Sequence, residues 1–208
     1  MDTRENGLQD FASPLPEPLG VTLRVVQALD RLGIRYLIGG SLASSLHGVP
    51  RNTSYADIVA ELPMARVAEL ASDLKADFHA DEDVMADAVR TGTSFNLIHL
   101  QTTFKVVFVV RREGLRLEEM NRRQEHPVAV DCPERAWFAS PEDTVLQTLG
   151  WYKKGGQISR RQWGDVLGVL KVQNGEIDLD YLRKWARPLG VDELLERALL
   201  EGGADKRA

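Results

Sequence analysis

Residues 35–62 read RYLIGGSLASSLHGVPRNTSYADIVAEL. Residues 35–38, Arg-Tyr-Leu-Ile, suit a short strand. Gly39-Gly40-Ser41 follows as a turn, then a short helix over 42–47 for which Ser41 is a favourable N-cap type. Arg51-x-Thr53 belongs to a loop, and 56–61 is a second strand carrying Asp57. Glycine lets backbone approach a ligand closely. A helix start adds free N–H groups and the positive end of the helix dipole, which together suit an anion such as a triphosphate. The same residues also make an ordinary strand-to-helix turn, so the downstream side chains decide between the two.

On a strand, residues two apart share a face. Tyr55 and Asp57 are such a pair. Nucleotidyl transfer uses two magnesium ions to clamp the attacking and leaving oxygens. Magnesium takes oxygen ligands in an octahedron. Two carboxylates two apart on a strand, with a third on a neighbouring strand, supply that geometry. The run FKVVFVV at 104–110 is the candidate neighbour, and it puts Lys105 and Val107 on one face.

In GGSLASSLHGVPRNTSYADIV the chain resembles the nucleotidyltransferase superfamily related to DNA polymerase β, in its minimal bacterial branch, and more closely the AbiEii-type toxin proteins. The matching residues are Gly39, Gly40, Ser41, Gly48, Arg51, Thr53 and Asp57. FNLIHLQTTFKVVFVV and SPEDTVLQTLGWYKKGGQISRRQWGDVLGVLK resemble two later segments of the family, so the likeness spans most of 21–200. The resemblance implies an NTP as substrate or ligand, Mg²⁺ held at Asp57, and phosphates near Gly39, Gly40, Ser41, Arg51, Thr53 and Lys105. It implies NMP transfer to an RNA or protein hydroxyl, with tRNA, another RNA or a cognate toxin–antitoxin protein as partner. Three family positions depart from the pattern. Asp-x-Asp becomes Tyr55-Ala56-Asp57, the third carboxylate falls at Val107, and a lysine usual near Thr148 is absent. A phenol with a pKa near ~10 is a poor magnesium ligand, and valine has no ligand atom. Metal stabilisation is worth several kcal/mol, so its loss removes roughly three powers of ten in rate. The expectation is an impaired transferase, or a pseudoenzyme serving as a nucleotide-binding or interaction module.

Working outward, three prolines near 13–18 read as a loosely attached or disordered segment over 1–18. Apolar spacing predicts helices over 21–32, 63–74, 81–90 and 115–123. Strands are expected at 95–101 and 104–111 as a hairpin about Thr102-Thr103, with short ones at 128–130 and 136–138. Ser140-Pro141-Glu142 is a helix start. Helices then follow over 141–154, 160–173, 179–186 and 191–200. The fold class is therefore α/β (α+β): a small mixed sheet flanked by helices over 19–139, then a C-terminal helical subdomain over 140–208.

A length of 208 residues with 43% apolar composition supports a buried core. The net charge of −5 gives no long-range attraction for nucleic acid. A single cysteine, Cys132, suits a reducing compartment. The polar start lacks an apolar core, and no run is long enough for a bilayer; a cytoplasmic protein without a membrane role is expected. His47 and His99 have no partner at zinc spacing. Trp151, Trp163 and Trp185 read as core aromatics between helices. The basic pairs 111–112, 122–123, 153–154 and 160–161 read as ordinary surface or a polyanion contact.

Overall fold

In a computed structural model, residues 17–110, 115–129 and 132–203 are described. The reading of 1–16 as loose, and the ends of two expected strands at Arg111 and Val130, lie outside these residues. Helix α1 (Glu17–Arg31) opens with Pro18 in its first turn, where no hydrogen bond is lost. It therefore starts inside the segment expected to be loose. Val21, Val25, Val26 and Leu29 bury one face of it. Gly33, at φ +65°, ends it; Ile34 N–H closes on the Leu29 carbonyl.

Strand β1 (Tyr36–Gly39) is buried throughout. A strand covered on both faces reads as a continuous apolar run rather than an alternation. Helix α2 (Gly40–His47) follows it, then β2 (Tyr55–Ala60). A 3₁₀ turn at Met64–Arg66 precedes α3 (Val67–Leu74), so the expected helix begins one turn late. Next come β3 (Phe78–His79), α4 (Glu82–Thr91), β4 (Ser94–His99) and β5 (Lys105–Val110). Asp81 caps α4 by accepting from Asp83 N–H and Val84 N–H. The expected β4–β5 hairpin forms, with Thr103 at φ +60° in its turn.

Helix α5 (Leu115–Arg122) leads to β6 (Gln124–Pro127) and β7 (Arg135–Phe138). The short strand expected at 128–130 thus lies earlier, on residues whose polar character hides it. β6 is an edge strand paired only with β7, which explains why it can end in proline. Among the described residues the strand order is β3-β4-β5-β2-β1-β7-β6. β2 runs antiparallel to β1 and parallel to β5, so it sits at the centre. The sheet is mixed, as expected.

The remaining helices are α6 (Pro141–Lys154), α7 (Arg160–Val172), α8 (Leu179–Leu189) and α9 (Asp192–Gly202). Their apolar faces form a cluster of their own around Leu146, Leu149, Val169, Leu170 and Leu195. The sheet and helices α1–α4 enclose a separate cluster. α2 packs on both α6 and α7 and joins the two.

The Ser140–Asp143 segment does more than start α6. Ser140 accepts from Asp143 N–H at 3.2 Å. Glu142 accepts from Arg122 at 2.8 Å and from Asp178 N–H at 2.9 Å. Asp143 accepts from Tyr181 O–H at 2.8 Å. Two buried carboxylates thereby tie α5, α6 and α8 together; for Asp143 the partners offset only part of its desolvation.

Gly48 is where α2 meets α7 most closely. A Cβ added there would lie 2.8 Å from Val169 N and 2.9 Å from Gly168 C and Ser44 O, all backbone. Gly48→Ala should therefore cost about 1–3 kcal/mol through overpacking. Gly150→Ala, on α6 with nothing within 4 Å of the new methyl, should instead gain about 0.5–1 kcal/mol from helix propensity. Urea melts of the two variants check both signs.

Candidate functional site at the end of β1

The site is built where β1 ends. Gly39 pairs with Asp57 across the β1–β2 ladder. Gly40 then turns into α2 at φ +54°, a conformation that favours glycine. A Cβ on Gly40 would stand 1.9 Å from Asp57 Oδ2. The carboxylate fills the space that the missing side chain leaves, so the turn and the acid are one structural unit.

The helix begins one residue before the expected Ser41 cap. Its N-cap is Gly39, with no side-chain cap. Ser41 Oγ instead lies 2.6 Å from Thr53 Oγ1. Thr53 in turn donates to the Tyr55 carbonyl at 2.8 Å. These contacts hold the loop before β2. Gly40 and Ser41 line the cavity beside Asp57, and Thr53 is not among the residues that wall it.

That cavity holds about 300 Å³ and is also walled by Arg51, Tyr55, Lys105, Val107, Thr148, Trp151, Gln162 and Asp165. The β2–β5 register sets Tyr55 opposite Lys105 and Asp57 opposite Val107. The strand arithmetic of the sequence thus yields one face bearing all four side chains. Lys105 Nζ lies 5.2 Å from the centroid of the Tyr55 ring, within cation–π range. Arg51 is more firmly engaged. Its Nε donates to Asp165 Oδ1 and its Nη2 to Asp165 Oδ2, both at 2.6 Å. Thr148 is buried on α6 and donates to the Thr144 carbonyl.

A second cavity of about 250 Å³ shares Gly40, Asp57, Val109 and Trp151 with the first and continues to Glu119, Gln147, Lys154 and Leu189. Asp57 and Trp151 therefore stand at a boundary. Trp151 is 54% exposed, which corrects its reading as a core aromatic; α6 turns it toward the cavities rather than into the helical cluster. Gln162, Asp165 and Glu119 also went unmarked in the sequence. Their only local signal was a polar i, i+3 spacing such as Gln162–Asp165.

Burial raises the Asp57 pKa to about 6, against the opposing charge of Lys105. Burial, then the Asp57 charge, raises the Tyr55 phenol. The bond to Asp165, with burial opposing it, raises the Arg51 guanidinium further. Among the described residues no group of three or more His, Cys, Asp or Glu side chains could hold a metal ion. The donors beside Gly40 include one carboxylate on β2 and none on β5, so they do not fit a two-ion clamp.

No family model and no curated protein matches the chain. Solved structures do. An antigenic nucleotidyltransferase-like protein from Paracoccidioides brasiliensis is 18% identical, with 88% of this chain and 92% of that one covered at a TM-score of 0.50. The solution structure of the antibiotic-resistance factor ANT(2'')-Ia is 12% identical, with 91% and 97% covered at a TM-score of 0.50. The fold is nucleotidyltransferase-like. At such identities the likeness concerns the fold alone, and a fold does not carry a function with it. No helix among the described residues is long and apolar enough to cross a membrane.

The raised Asp57 pKa carries a pH signature. The folded state holds this proton more tightly than the unfolded chain, whose carboxylate titrates near ~3.9. Stability from this group is therefore greatest below pH ~4 and falls as pH rises toward about 6. Asp57→Asn should be more stable than the parent above pH 6, by up to about 3 kcal/mol, and the gap should close near pH 4. Denaturant melts across pH 4–8 would show it; a constant gap would contradict the titration.

Proposed function

We propose that this chain binds a nucleoside triphosphate in the Asp57 cavity and transfers its NMP weakly or not at all. The observation that carries the reading is the pairing of Asp57 with Val107 beside the Gly40 turn. The first contributes one acid where the chemistry needs several, and the second contributes none. Gly40 and Ser41 at the start of α2, with Lys105 and Arg51 on the walls, suit the phosphates. Gly39 acts by pairing with Asp57, and Thr53 by holding the loop through Ser41.

Magnesium can bind through one carboxylate together with substrate phosphates and water. Asp57 is suited to that partial role, with Mg²⁺ arriving as the Mg-NTP complex. Transfer would form a bond between an acceptor hydroxyl oxygen and the α-phosphorus and release pyrophosphate. The resemblance to AbiEii-type proteins favours an RNA or protein hydroxyl as that acceptor. The chain itself contributes binding and alignment. At Tyr55 and Val107 it lacks the strand carboxylates that would hold the metal ions which stabilise the developing negative charge.

Val107 also favours a second reading: a catalytically inactive pseudo-transferase that serves as a nucleotide-binding or toxin–antitoxin interaction module. Thermal melts with Mg²⁺ and each NTP, beside label transfer to total RNA and protein, separate the two. A melting temperature raised by an NTP without transfer supports the binding module. Weak transfer abolished in Asp57→Ala supports the enzyme. No response to any NTP removes both.

Restoring the missing acids gives the sharper expectation. The double variant Tyr55→Asp, Val107→Asp should raise Mg²⁺-dependent transfer by roughly 100-fold or more. Robust transfer by the parent chain would mean that other groups complete the site.

A further inference from the structure

The loop joining α2 to β2 is pinned to α7 at two points one helical turn apart. Gly48 packs against the backbone of Gly168 and Val169. Arg51 grips both oxygens of Asp165 at 2.6 Å. The second contact lies in the wall of the Asp57 cavity, with the Asp165 side chain 9% exposed and that of Arg51 26% exposed. A guanidinium fork matched to two anionic oxygens is also the geometry with which arginine holds phosphate.

The geometry points to Asp165 as an internal occupant of an anion subsite: its carboxylate holds Arg51 until a polyphosphate takes its place. This deepens, and rests on, the nucleotide reading of the same cavity. Three features support exchange over a permanent staple. Arg51 would trade one oxyanion for another, so its charge would never be left buried and unpaired. The released carboxylate has other cationic company, because Arg161 stands one helical turn before it on α7. The loop would also keep its Gly48 anchor when the Arg51 contact opens, so release need not separate α2 from α7.

The consequence is a built-in competitor. A staple and a competitor predict opposite signs for removal of the Asp165 charge. Losing a staple leaves a loosened loop and weaker binding. Losing a competitor frees a cation and removes a like charge from the path of the phosphates.

The test uses the full chain and two probes, inorganic tripolyphosphate and ATP, with affinities measured by calorimetry and folding followed by melting curves. Asp165→Asn and, as a second variant, Asp165→Ser should bind tripolyphosphate roughly 5- to 50-fold more tightly than the parent. Adding Arg51→Gln should abolish the gain. Unchanged or weaker binding in folded Asp165 variants would overturn the exchange. So would a gain that survives Arg51→Gln, or an absence of tripolyphosphate binding by every variant. Tighter tripolyphosphate binding with no ATP binding anywhere would sustain the exchange and remove the nucleotide reading.

Discussion

The contact between Asp57 and Gly40 constrains the whole site. Central strands β1 and β2 are held in register, and that register brings a carboxylate against the backbone that begins α2. Any side chain on Gly40 would collide with it. The acid must therefore share space with a helix start, in surroundings dry enough to raise its pKa to about 6. This is an unfavourable place for an isolated carboxylate. The turn itself needs only the glycine, so the cost of burying the acid beside it is what the proposed binding role would account for.

The β2–β5 pairing shows how much of this was legible from residues alone. Strand periodicity in YADIV and KVVFVV was enough to place Tyr55, Asp57, Lys105 and Val107 on one face, and the structure has that face. The existence of most helices was legible for the same reason, because their apolar spacing is local; their first residues were not, as α1, α2 and α3 show. β6 was not, because QEHP carries no apolar pattern; pairing with β7 alone makes it a strand. The places of Asp165, which carries no mark in the sequence, and of Trp151, which reads as core, were hidden for a different reason. Both residues reach the cavity by packing of α6 and α7 against α2, and no spacing within either helix encodes which face that packing will present.

Ser140–Asp143 illustrates a motif with two functions. Its serine and proline are a local helix start, readable at once. Its acids act at long range, through Arg122, Asp178 and Tyr181. The burial of Asp143 and its bonds to Ser140 and Tyr181 place this network inside the joint between helices rather than on the surface. Such a joint keeps the helical unit seated while α2, between the two cores, carries the turn at one end and Gly48 at the other. The cavity walls from α6 and α7 can then have a defined position relative to Asp57.

Charge decides what this cavity can hold. Lys105 faces the Tyr55 ring and tempers Asp57, while Arg51 is matched by Asp165. A triphosphate entering such a site finds its cations already engaged. Its affinity depends on how easily these pairs open, and much less on how many cations line the wall. The Lys105 contact with a ring face is half-exposed and cheap to break. The Arg51 pair is short, bidentate and mostly enclosed, so breaking it without a replacement anion would leave charge poorly solvated. Only a ligand that presents two oxygens at the fork can open it at low cost. A spherical monovalent anion offers one contact where the Asp165 carboxylate offers two, so it is a poor replacement at the fork.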